Sequence, residues 1–143
     1  MPTMLRKIIV CLIILGTISG CKKDDNQQIP LVPVDINLNL DLPTYSILNS
    51  VGNYIYITGG SNGIVVYNNG PEDFVALDRH CPYRVDDFER VEVDSTNIIL
   101  VDPECGSRFS LLDGSLIEGP ATTSLQRYQT SFNATTRNLR IFN

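Results

Sequence analysis

The residues able to do chemistry are concentrated in two short loops. Asp78-Arg79-His80-Cys81-Pro82-Tyr83 holds the only histidine and one cysteine; Asp102-Pro103-Glu104-Cys105-Gly106-Ser107-Arg108-Phe109 holds a second cysteine beside two carboxylates. Cys81 and Cys105 are 24 positions apart with strand-like segments between them, a spacing open to one disulfide or to half of a metal site. With one histidine and no nucleophile elbow, a Ser-His-Asp hydrolase is not indicated. No catalyst is identified, and the expectation leans away from an enzyme.

The elements that must position these loops read as short strands. Val32, Val34, Ile36, Leu38, Leu40 and Leu42 alternate with mostly polar partners, a period of two that predicts a half-buried strand over 32–42, stopped by Pro43. Residues 51–57, 64–67 and 74–77 are rich in β-formers, and the second of these follows the turn cluster Gly59-Gly60-Ser61-Asn62-Gly63. Further strands are predicted at 88–93, 98–101, 108–112, 115–117, 125–132 and 138–142, with Asp113-Gly114 as a hairpin turn. No segment carries a 3.6-residue apolar stripe. The pattern predicts an all-β domain, a small antiparallel sandwich or barrel with two cysteine-bearing loops.

The 143 residues have room for one domain. Arg6 and Lys7 precede an apolar run over 8–18. That run is shorter than the roughly 20 residues of a membrane-spanning helix and suits a signal-peptide core. It ends in Ile18-Ser19-Gly20-Cys21, which resembles the bacterial lipobox. The resemblance implies a lipoprotein: a signal peptide over 1–20 and a Cys21 carrying acyl chains, palmitate among them, that anchor the chain to a membrane. Lys22 is not the aspartate of inner-membrane retention, which points to the outer membrane. Lys22-Lys23-Asp24-Asp25 resembles the export tag of Bacteroidetes surface lipoproteins, leaving the periplasmic face and the cell surface both open. A polar tether over 21–33 and a domain over 34–143 follow. Without Arg6 and Lys7 the chain keeps nine basic residues against sixteen acidic ones, the wrong balance for binding nucleic acid. Cys11 and Cys21 aside, Cys81 and Cys105 remain, and in an oxidising compartment such a pair forms a disulfide.

The run from Asp102 through Phe109, with Asp113-Gly114 and Gly119-Pro120-Ala121 after it, resembles the second half of a Rieske domain. The family's corresponding pattern is Cys-Pro-x-His-Gly-Ser-x-Phe followed by Gly-Pro-Ala. Upstream, residues 76–83 are similar to the family's strand ending in Cys-x-His, and the likeness covers about 51–142. It implies a Rieske-like fold and, in ordinary members, a [2Fe–2S] cluster on two thiolates and two imidazoles. The ligands depart from that pattern. Cys81 keeps the first cysteine position, Tyr83 occupies the first histidine position, Asp102 the second cysteine position and Cys105 the second histidine position.

The resemblance therefore implies loops that converge without the usual ligands, and a disulfide between Cys81 and Cys105 takes the cluster's place. Closing that loop is worth roughly 3–4 kcal/mol in chain entropy. No cofactor is expected; the alternatives are an atypically ligated [2Fe–2S] cluster serving electron transfer, or zinc on Cys81, Cys105, His80 and Asp102. The family's own loop-to-loop disulfide positions correspond to Asp86 and Glu104, and with Asp87 and Asp102 these carboxylates are expected to form a solvated acidic rim. Ser107 is expected as an ordinary loop hydroxyl, Phe109 as core and Arg108 as a surface charge. The functional expectation is a membrane-tethered binding or structural module with an unidentified protein or envelope partner.

Overall fold

A computed structural model describes residues 28–143; the expected signal peptide, the expected lipidation site Cys21 and residues 22–27 of the expected tether lie outside the described residues. Residues 28–33 carry no helix or strand. The segment is fastened where the tether was expected to end: Asn143 donates from Nδ2 to the Val32 carbonyl (2.8 Å) and accepts the Val34 N–H on Oδ1 (3.0 Å). No described helix is long and apolar enough to cross a membrane.

Among the described residues ten strands and two 3₁₀ turns follow in order: β1 Asp35–Asn39, a turn at Ser46–Asn49, β2 Tyr54–Ile57, β3 Ile64–Gly70, β4 Asp73–Asp78, a turn at Val85–Asp87, β5 Glu92–Val93, β6 Ile99–Val101, β7 Arg108–Ser110, β8 Leu116–Glu118, β9 Arg127–Asn133 and β10 Asn138–Phe142. They form two antiparallel sheets, one of six strands in the order β1-β10-β9-β4-β3-β2 and one of four in the order β5-β6-β7-β8. The fold is all-β, as the alternation predicts.

Two strand expectations need correction. The strand expected over 32–42 is shorter. Asn39 Oδ1 takes the Asp41 N–H at 2.9 Å and turns the chain well before Pro43. The strand expected over 88–93 shrinks to β5. Arg84 and Phe88 both adopt left-handed backbone (φ +52° and +55°) around the turn at Val85–Asp87, so the segment leaves extended geometry and Phe88 is exposed.

The hairpin β3–β4 is covered on both faces and divides the interior. Ile64, Val66, Phe74 and Ala76 point into one cluster with Leu38, Tyr128, Leu139 and Ile141, inside the curl of the six-stranded sheet. Their neighbours Val65, Tyr67, Val75 and Leu77 point the other way, into a second cluster with Cys81, Leu100, Phe109 and Leu111. The two-residue period of a strand sends successive side chains into different cores. The second core seats the four-stranded sheet against β3–β4, and both cysteine loops emerge from it.

Candidate functional site

The loop after β4 carries Cys81, and the loop between β6 and β7 carries Asp102 and Cys105. The second loop is closed by its own backbone: Gly106 donates to the Asp102 carbonyl (2.9 Å) and Asp102 to the Ser107 carbonyl (2.9 Å). Asp102 Oδ1 accepts the N–H groups of Glu104 (2.8 Å) and Cys105 (3.1 Å), an Asx-type arrangement that folds the chain back on the aspartate. Gly119 is forced by close approach, since a Cβ there would lie 2.4 Å from Ser107 Cα. That contact presses the Gly-Pro-Ala segment onto the loop.

Three donor atoms meet at the tip. The ligand atoms of Cys81, Asp102 and Cys105 all lie within 4.8 Å of one another. The two sulfurs are 3.9 Å apart and both thiols are free; a disulfide would hold them at about 2.05 Å. Cys81 and Asp102 are each 1% exposed, and Cys105 is half-buried. Asp102 Oδ2 is buried and has no hydrogen-bond partner among the described residues. Ser107, expected as an ordinary hydroxyl, is fully buried. Its Oγ lies 3.0 Å from Cys105 Sγ and accepts the Ala121 N–H (3.2 Å), while its own N–H points at the same sulfur (3.4 Å).

Burial pushes the Cys81 thiol well above its ordinary range, and the adjacent Asp102 carboxylate pushes the same way. For Asp102 burial acts upward, but the Cys81 thiol, the N–H groups of Cys105 and Glu104, and the Cys105 thiol outweigh it, holding the carboxyl below its usual value. Outside lies a hollow of about 350 Å³ lined by Tyr83, Arg84, Asp87, Glu89, Asp102, Glu104, Cys105 and Pro120. Loss of solvent, then the charges of Glu104, Asp102 and Asp87, raise the Glu89 carboxyl. The acidic rim thus contains Glu89, which the sequence reading missed. Asp102 is not a solvated member of it but a buried floor.

His80 is not part of this group. Its Nε2 faces the Val85 carbonyl (2.8 Å), an acceptor, so that nitrogen donates, and its Nδ1 meets Ser61 Oγ (2.7 Å). The imidazole is fully buried and stacks on Phe88. The four-residue zinc set that includes His80 is therefore not assembled. Asp78 anchors this second polar cluster, unforeseen from the sequence. Its fully buried carboxylate accepts the N–H groups of Ser61 (2.6 Å), Asn62 (3.2 Å) and His80 (2.8 Å) and the Tyr128 hydroxyl (2.7 Å). Asn62 in turn donates to the Phe88 carbonyl (2.6 Å), and the Glu89 carbonyl receives the Cys81 N–H (3.1 Å). The cluster fixes the backbone that presents Cys81. A sequence signal existed: Asp78 shares its parity on β4 with buried Phe74 and Ala76.

Phe109 is core, as expected. Arg108 is 3.8 Å from Asp94, yet its Nε is buried without a partner. A two-iron Rieske cluster takes four ligands, two of them imidazoles. The described loops gather three donors, and the one imidazole is committed to Ser61 and Val85. The donor set does not fit that cluster.

No known family profile and no curated protein matches the chain. Among solved structures, the plasma-membrane Rieske protein PetC3 of the cyanobacterium Synechocystis PCC 6803 is similar, with a TM-score of 0.55 and 20% identity over 77% of this chain and 99% of that one. The ferredoxin of carbazole 1,9a-dioxygenase from Nocardioides aromaticivorans IC177 is also matched, at a TM-score of 0.49 and 15% identity over 78% of this chain and 97% of that one. With its antiparallel sheets and paired loops, the chain has a Rieske-like fold.

Proposed function

We propose that the chain is a membrane-tethered, Rieske-like binding or structural module in which the two loops are joined through Cys81 and Cys105 in place of a [2Fe–2S] cluster. The observation that supports it is the pair of sulfurs at 3.9 Å on opposed loops, beside one carboxylate, Asp102, and no imidazole. A closure of about 2 Å brings the sulfurs to bonding distance. The two thiols then lose two protons and two electrons to a disulfide donor, which leaves as a dithiol. Lipidated Cys21 would hold the module at the outer membrane, on its periplasmic face or at the cell surface, where an envelope protein is the expected partner.

The test is a visible spectrum with iron and acid-labile sulfide analysis, followed by thiol titration before and after reduction. A colourless chain that gains two reactive thiols on reduction is the expected result. Two irons and two sulfides per chain would replace this reading with the alternative, electron transfer through an atypically ligated cluster.

A further inference from the structure

Asp102 Oδ2 is a carboxylate oxygen with no hydrogen bond, in a side chain 1% exposed, beside two free sulfurs. Leaving a buried acceptor unsatisfied is costly, more so when it is charged. Such an atom calls for a partner, and none of the described residues supplies a hydrogen bond to it. The sulfur separation indicates which kind. Two thiolates on a tetrahedral zinc, each at about 2.3 Å, stand about 3.8 Å apart; the observed value is 3.9 Å.

We propose that in the dithiol state Cys81, Cys105 and Asp102 bind one zinc-class divalent cation, with the fourth coordination position facing the acidic hollow. The proposal rests on the reading that no two-iron cluster occupies these loops. Binding converts two thiols to thiolates, releases two protons and leaves the cation with two sulfur ligands and one oxygen. Thiolate sulfur with a carboxylate selects zinc or cobalt over calcium and magnesium, which demand oxygen alone. The surroundings suit this role. Ser107 directs its N–H at Cys105 Sγ and accepts the Cys105 thiol on Oγ, the kind of outer contact that orients a ligand. Asp87, Glu89 and Glu104, against Arg84 alone, give the entrance a negative potential that attracts cations. An open fourth position is the arrangement of reactive zinc rather than of a closed structural site. Disulfide formation consumes both sulfur ligands, so oxidation and metal binding exclude one another.

The experiment uses the full chain with Cys11→Ser and Cys21→Ser, in detergent and reduced, so that Cys81 and Cys105 are its only thiols. Cobalt(II) titration should saturate at one ion per chain, with sulfur-to-cobalt charge transfer and the visible bands of a tetrahedral ion, and zinc should displace it. Asp102→Asn should weaken zinc binding at least tenfold while the circular dichroism stays unchanged. Cys105→Ser, at the more exposed sulfur, should abolish the charge-transfer band even if Cys81→Ser fails to fold. Oxidation by a disulfide reagent should eliminate binding. Non-stoichiometric binding, an octahedral cobalt spectrum, or equal zinc affinity in Asp102→Asn would each overturn the proposal. A chain that binds no zinc and contains no iron or sulfide sinks the proposal alone; one containing two irons and two sulfides sinks the functional reading with it.

Discussion

Two aspartates are buried equally deeply in this domain and live very differently. Asp78, at the end of β4, takes four hydrogen bonds across its two oxygens. Asp102, just after β6, takes two on Oδ1 and, among the described residues, none on Oδ2. Each follows a strand into a cysteine-bearing loop, so the local scaffolding is alike and the satisfaction is not. A carboxylate with every lone pair engaged holds a structure together. One that faces two sulfurs with an oxygen unused is arranged for something that arrives later. The first region is framework and the second is the proposed site.

Substitutions can break or sharpen that contrast. Asp78→Ala strands three N–H groups and the Tyr128 hydroxyl in the interior, and urea unfolding should show a loss of about 4 kcal/mol or more. Gly60→Ala comes next. Gly60 has φ +63°, and an added Cβ would meet Asp78 Oδ2 and Tyr128 Oη, so the same assay should report about 2–3 kcal/mol.

Tyr128→Phe removes one donor from Asp78 and should cost about 1–2 kcal/mol. It also carries a pH signature. Burial and then the hydrogen bond to Asp78 raise the Tyr128 phenol above its ordinary value of 10.0. Because its folded pKa is the higher one, its contribution to stability is fully present below pH 10 and is lost as pH rises beyond that. Unfolding at stepped alkaline pH should show a decline that is shallower in Tyr128→Phe; identical slopes would remove Tyr128 from the framework.

The smallest effect is expected at the other aspartate. Asp102→Asn keeps an acceptor for the Glu104 and Cys105 N–H groups and should stay within about 1 kcal/mol of the parent. A loss there as large as that of Asp78→Ala would erase the distinction between framework and site.

Much of this was legible in the sequence. Period-two alternation found the strands, and the two loops stood out because cysteine, histidine and carboxylates cluster there. The shortened strand over 32–42 was not legible, because a side chain, Asn39, captures the backbone locally before the apolar pattern ends. The segment at 88–93 misled because its alternation is real, but left-handed residues at Arg84 and Phe88 break the chain direction, and neither type announces such a conformation. At the site, Cys81, Asp102 and Cys105 were foreseen as converging positions. Tyr83 joins them only as a wall of the hollow, and His80 is turned away. The Asp78 cluster was missed because its partners come from other parts of the chain: pairing of β3 with β4 brings up the loop of Ser61, and pairing of β4 with β9 brings Tyr128.

Native mass spectrometry of the chain as isolated addresses the central claim most directly, because one spectrum separates every occupant of the loops. The account predicts the mass of the polypeptide less two hydrogens when oxidised, and of the reduced polypeptide plus one zinc less two protons when supplied with metal. An added mass of two irons and two sulfides, retained on Cys81 and Cys105, would contradict it.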